Sequence, residues 1–214
     1  MKKLLLVLLP LLLLSSCKTN EEKAAELIKN ELSKTLYDFE SYSPIETSVN
    51  VAKISLYNDT ALWNKGVMLA KYMKETLEYM DKSEKAKELM ELWGKPSYYS
   101  SSYSDNKYYK FKDEYTDAIA KVIVEGALCK VIAQELRDTL SKIDTTQVIG
   151  WEVSHRFRCK TRGGYAAIGD HRYIIDKDFK KVLLREDKDD KDDQYVRKAL
   201  GTVLTDYWDE LFKN

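Results

Sequence analysis

The stretch Ile149-Gly150-Trp151-Glu152-Val153-Ser154-His155-Arg156-Phe157-Arg158-Cys159-Lys160-Thr161-Arg162-Gly163-Gly164 decides the fold. Ile149, Trp151, Val153, His155, Phe157 and Cys159 alternate with Gly150, Glu152, Ser154, Arg156, Arg158 and Lys160. That period of two predicts a strand with one apolar and one basic face. Arg162-Gly163-Gly164 predicts a hairpin turn, because glycine supplies the positive φ such loops need. A three-residue loop there pairs Val153 with Tyr173, Trp151 with Ile175 and Arg156 with Asp170. A two-residue loop would set Trp151 against Asp176 and Phe157 against Asp170, so the first register is preferred.

Asp176-Lys177-Asp178 predicts a turn into a third strand carrying Val182 and Leu184. Ahead of this meander the period is helical. Thr19 to Glu22 fits a capping box, and Ala24, Leu27, Ile28, Leu32 and Leu36 predict a helix over about 20–37. Ile45, Thr47, Val49, Val51 and Ile54 after Pro44 suggest a strand or an irregular extended segment. Asp59 or Thr60 caps a helix striped by Leu62, Gly66, Leu69, Ala70, Met73, Leu77 and Met80, and Ser83 opens another, closed by Gly94 and Pro96. A long helix over about 110–141 carries Tyr115, Ala118, Ile119, Val122, Gly126, Cys129, Ala133, Leu136 and Leu140. Val196, Ala199, Leu200, Val203, Leu204, Tyr207 and Leu211 describe a closing amphipathic helix. The expected class is α+β, with helices over one face of an antiparallel meander and a closing helix. One domain over 20–214 is expected, with a helical part at 20–142 and the meander and last helix at 143–214.

The 214 residues hold 35 Lys+Arg and 35 Asp+Glu, 33% charged and 44% hydrophobic. That composition excludes a collagen-like, wholly disordered or polytopic membrane chain. A zero formal charge removes the electrostatic reason to expect nucleic acid as a partner. The start of the chain has an address. Lys2 and Lys3 precede the apolar run Leu4–Leu14, broken only by Pro10, and Ser15-Ser16-Cys17 follows. Eleven helical residues rise only about 16 Å, half a bilayer core, so the run over residues 1–16 reads as a signal peptide and not a span.

Leu14-Ser15-Ser16-Cys17 resembles the lipobox of bacterial lipoproteins. The resemblance implies that Cys17 is acylated, palmitate included, and becomes the first residue of the mature chain, with the lipid membrane as its first partner. Multiple acyl chains would hold it there permanently. Losing Lys2 and Lys3 leaves 33 basic and 35 acidic residues in a mature chain of 198. Lys18-Thr19-Asn20-Glu21-Glu22 resembles the region after the cysteine in small lipoproteins of the Bacteroidetes, where lysine and acids favour export to the outer face. The same likeness makes the threonines of Asp59-Thr60-Ala61, Asp138-Thr139-Leu140 and Asp144-Thr145-Thr146 candidate O-glycosylation sites. Gly150 to Arg158, with Gly164 and the aspartate turn, resembles a segment of uncharacterised small lipoproteins of gut Bacteroidetes. Together these imply an outer-membrane, lipid-anchored protein of the cell envelope, facing the periplasm or the cell surface. With residues 17–19 as tether, three steps reach about 10 Å, so the domain should lie against the membrane.

Four constellations are candidates for chemistry. The preferred register sets His155 opposite His171, the only histidines, with β-carbons about 5 Å apart. They form either a metal pair of a metal-dependent enzyme or a satisfied pair at the core edge, and no third ligand is spaced beside them. Arg156, Arg158, Lys160 and Arg162 at spacing two predict a basic row, either an anion site or a solvated face paired with Asp170 and other acids. Tyr98, Tyr99 and Tyr103, with Tyr108 and Tyr109, fall in a Ser/Tyr stretch over 97–109 expected as a loop. Such a loop either connects helices or presents amphipathic rings to a sugar or peptide. Cys129 and Cys159 are either a disulfide across about 30 residues or two buried thiols.

Asp187, Asp189, Asp190, Asp192 and Asp193 lack the glycine and distal glutamate of a calcium loop and suit a hydrated turn whose last aspartate caps the final helix. No phosphate loop, paired catalytic carboxylates or nucleophile elbow is present, and no cofactor is expected. The expected role is a non-enzymatic binding or interaction module for an anionic or glycan ligand or an envelope protein. A metal-dependent enzyme and an envelope assembly factor are the alternatives.

Overall fold

A computed structural model describes residues 18–205 and 207. The chain is α+β. Its elements are α1 (Asn20–Thr35), β1 (Asp38–Lys53), α2 (Thr60–Trp93), α3 (Ser102–Lys142), β2 (Val148–Lys160), β3 (Ala166–Asp176), β4 (Val182–Asp187) and α4 (Lys191–Thr202). The described residues group into two compact units, residues 18–53 with Val148–Asp189 and Ile54–Gln147 with the residues from Asp190 onward. This grouping differs from a helical part followed by a meander, because the first helix goes with the sheet and the last goes with the long helices.

In the first unit the four strands form one antiparallel sheet in the order β1-β2-β3-β4. Val153 pairs with Tyr173, Trp151 with Ile175, Arg156 with Asp170 and His155 with His171, the register set by the glycine turn. Gly164 takes φ +80°, and its amide donates to the Thr161 carbonyl at 2.9 Å. Thr19 and Glu22 close the capping box of α1, each side chain accepting the other's amide. The buried stripe Ala24, Ile28 and Leu32 packs on Val153, Phe157, Tyr173 and Ile175. Each large side chain in that layer contributes roughly 2 kcal/mol.

The uncertain extended segment is the long edge strand β1, which begins at Asp38, well before Ile45. Its register on β2 shifts three times, and Pro44 is tolerated because the sheet ends there. Ser41 Oγ accepts the Lys160 amide at 2.7 Å and bridges one irregularity. At the other end Asp176 Oδ1 accepts the amides of Lys180 and Lys181 at 2.7 and 2.9 Å, which builds the turn into β4.

The second unit is an antiparallel pair of long helices, α2 and α3, with α4 against α2. Ser83 does not start a new helix. Its hydroxyl donates to the Met80 carbonyl at 2.7 Å inside a continuous α2, leaving the backbone ladder intact. The Ser/Tyr stretch is likewise shorter as a loop than expected. Ser101 accepts the Ser104 amide and starts α3 at Ser102. Lys65 and Glu135 pair at 2.8 Å across α2 and α3. Asp190 caps α4 by accepting the amides of Asp192 and Asp193, so the cap comes from the middle of the aspartate run and not from its last member, Asp193, which lies in the first turn of the helix. Past α4, Arg137 Nε donates to the Val203 carbonyl at 2.7 Å, and its Nη2 donates to that of Thr205 at 2.9 Å. Leu211 of the expected closing helix lies outside the described residues, as do the expected signal peptide and Cys17.

Gly66 lies where α4 crosses α2, and a Cβ there would stand 2.6 Å from Leu200 Cγ. Gly66→Ala gains about 1 kcal/mol of helix propensity but should lose about 1–3 kcal/mol to overpacking. In a Leu200→Ala background the same change should become neutral or stabilising. Urea midpoints of the four proteins check this, and a stabilised Gly66→Ala single variant would refute the packing account.

Candidate functional site

The even-numbered face of β2 carries the basic row, and the neighbouring strands decide how much of it remains free. Arg156 Nε lies 3.8 Å from Asp170, its partner on β3, and the Lys188 ammonium lies 2.8 Å from the same carboxylate. Arg172, opposite Ser154, holds Glu152 at 2.8 Å and Glu186 at 3.0 Å, with its side chain and that of Glu186 almost fully buried. The inner part of the face is therefore a neutralised lattice, as a solvated or paired sheet face predicts.

The outer end differs. Among the described residues Arg158, Lys160 and Arg162 are exposed and form no ion pair. Ile168 faces Arg158 across the hairpin and is half exposed, while Asp38 stands opposite Lys160 with its carboxylate accepting the Ser41 amide at 3.2 Å. Arg162 departs from the expected row. It lies in the turn, not on the strand face, and its guanidinium sits 5.8 Å from the centroid of the Tyr37 ring. Tyr37 and Tyr165 are 71% and 77% exposed, so two open aromatic rings accompany the three unpaired cations. Sequence reasoning missed both tyrosines and Ile168. Tyr37 reaches the site only because β1 pairs with β2, and the sole signal for Tyr165 is its place after Gly163-Gly164.

The histidines face each other as predicted, inside the core layer. His155 has no exposed surface, and its ring nitrogens lie 2.9 Å from Tyr42 Oη and 2.9 Å from Thr47 Oγ1. A neutral imidazole donates one of these bonds and accepts the other, so two hydroxyls satisfy it. Burial, helped by the nearby His171, pushes its pKa down to about 4. His171 Nδ1 lies 3.0 Å from Tyr173 Oη and its Nε2 3.3 Å from Asp187. Burial and then the Arg185 guanidinium lower its pKa, with Asp187 opposing them. Among the described residues no three His, Cys, Asp or Glu side chains stand close enough to hold a metal ion. With its nitrogens engaged and its surface covered, His155 is a core residue by geometry.

The tyrosines separate. Tyr98 and Tyr99 are almost fully exposed in the loop and meet edge to face at 5.4 Å. Tyr103 lies in the first turn of α3, edge-on to Trp93 at 5.6 Å, and Tyr108 is buried. The expected binding loop is thus a two-ring tip, while Tyr103 and Tyr109 lie on α3 with more than half of their surface exposed and Tyr108 is packed away. A groove of about 440 Å³ between α2 and α3 was also missed. There Lys82 and Lys121 lie 4.8 and 4.7 Å from the Tyr79 centroid, with Glu114 and Asp117 on the same rim. Cys129 and Cys159 are free thiols. Burial pushes Cys129 up to about 11 despite its bond to Thr76, and burial also raises Cys159, so neither is an activated nucleophile.

The buried histidine makes a pH prediction. Its folded pKa of about 4 lies below the ordinary 6.5, so the unfolded chain takes up the proton first as pH falls. Stability is full above about 6.5 and is lost between there and 4, with about 2 kcal/mol gone by pH 5. Urea unfolding at pH 7.5 and 5 should show this loss, reduced in His155→Gln, and equal stability at the two pH values would contradict it. No family model, curated protein or solved structure matches the chain, so the residues themselves carry the functional reading.

Proposed function

We propose that the chain is an exported lipoprotein, anchored through acylated Cys17, that works as a binding module and not as an enzyme. The observation that carries the reading is the group of unpaired cations, Arg158, Lys160 and Arg162, gathered at one end of a sheet whose inner cations Arg156, Arg172 and Lys188 are paired with acids. Leaving three cations solvated beside exposed rings costs the fold little and favours an anionic group arriving from outside. Guanidinium forks suit carboxylate, sulfate or phosphate oxygens. The lipobox likeness supports a permanent place on the outer membrane, where a ligand or an envelope partner would be held. The engaged nitrogens of His155 weigh against a metal-dependent enzyme.

Two measurements test this. Cys17→Ala should abolish incorporation of labelled palmitate and release the protein from the membrane fraction. Arg158→Ser/Lys160→Ser/Arg162→Ser should weaken binding of polyanionic probes by about tenfold or more, with no change in unfolding midpoint. Unchanged binding in that variant would sink the site, and unchanged acylation would sink the anchor.

A further inference from the structure

We infer that the β2–β3 hairpin tip is a membrane-distal site for an acidic glycan and not for the headgroups of the anchoring membrane; this rests on the lipoprotein reading. The geometry within the sheet unit fixes which end faces which way. Lys23, in the first turn of α1, has its ammonium 5.7 Å from the Phe179 ring in the β3–β4 turn. Tyr37, just past the end of α1, lies under the Arg162 guanidinium at the opposite end of the sheet. The 16 residues of α1 separate those ends by about 24 Å. Only two residues lie between Cys17 and α1, a reach of about 10 Å. An acylated Cys17 therefore holds the β3–β4 turn at the bilayer and leaves the cationic tip at the far end.

The tip would return to the membrane only if α1 lay flat on it. Its surface does not suit that. The apolar stripe of α1 is buried on the sheet, and its exposed positions are all polar, with Glu21, Glu22 and Glu26 against Lys23, Lys29 and Lys34. A helix that lies in the interface needs an open apolar face and a cationic polar one.

The tip's chemistry selects the ligand. Arg158 and Lys160 lie about 7 Å apart on one face of the strand, and Arg162 turns the charge around the end toward Tyr37. Such a curved edge presents cations on more than one side, with the Tyr37 and Tyr165 rings beside them. An acidic glycan offers carboxylates or sulfates along a chain and apolar ring faces for tyrosines. A protein partner needs roughly 800 Å² with an apolar centre, and β3 exposes only Ile168 and the small Ala166 as aliphatic surface at this end.

The test uses the acylated full chain in phosphatidylcholine vesicles, with a galacturonate oligomer and a heparin oligosaccharide as probes. At least one should bind with salt-sensitive affinity, weakened about tenfold by Arg158→Ser/Lys160→Ser/Arg162→Ser and severalfold by Tyr37→Ala/Tyr165→Ala. A fluorophore on Asp178→Cys, in a Cys129→Ala/Cys159→Ala background, should be quenched by headgroup quenchers far more than one on Gly163→Cys. The inference is overturned if neither probe binds, if the tip label is quenched as strongly as the turn label, or if Cys17→Ala protein binds phosphatidylglycerol vesicles through the three cations while ignoring both glycans. Failure of the anchor reads separately, as acylation and membrane retention that do not depend on Cys17.

Discussion

The pairing of β2 with β3 is the constraint on which the rest depends. The side-chain period of a strand is two, so a slip of one residue would turn Val153, Phe157 and Tyr173 out of the layer that α1 covers. It would also set Phe157 against Asp170 and leave Arg172 without Glu152 beside it. The turn at Arg162-Gly163-Gly164 prevents this, because positive φ at Gly164 closes the loop at one length. From that register follow the facing histidines, the buried Arg172 and the position of the free cations.

Arg172 illustrates how the register distributes charge. A buried guanidinium is costly unless its donors are met, and Glu152 and Glu186 meet them from the strands on either side. Such a group adds little net stability, but removing one partner would leave a charge uncompensated. It therefore specifies the β2–β3–β4 alignment more than it strengthens it. The core face uses neutral groups to the same end, with hydroxyls of Tyr42 and Thr47 answering the ring of His155.

Legibility followed locality. The alternation from Ile149 to Cys159 and the glycine turn are local, so the hairpin register and the opposed histidines were readable. The partners of α1 and α4 were not, because Ala24, Ile28 and Leu32 declare an apolar face without saying what covers it. Ser83 misled because a serine suits a helix start, yet its hydroxyl bonds a carbonyl within the same helix just as readily. The tyrosine stretch misled in the same way, since Ser101 supplies a cap that composition hides among other serines. Arg162 was read onto a strand face because spacing alone cannot tell where a strand ends and its turn begins.

What distinguishes the tip from the rest of the polar face is that no acid there pairs with a cation, since Asp38, opposite Lys160, accepts the Ser41 amide instead. Arg156 finds Asp170 on β3, and Arg172, on β3, finds Glu152 on β2 and Glu186 on β4, because that part of β3 has a strand on either side. Arg158 faces Ile168 and Lys160 faces Ala166, and the ladder of β4 on β3 reaches only to His171. The sheet is narrower at that end, so fewer side chains are within reach of each cation. A cation there is solvated by topology before any ligand is considered, and a solvated cation gives up less on meeting an anion than one that must first break a buried pair. The same narrowing leaves the Tyr37 and Tyr165 rings uncovered, so charge and open aromatic surface coincide where the sheet runs out of neighbours.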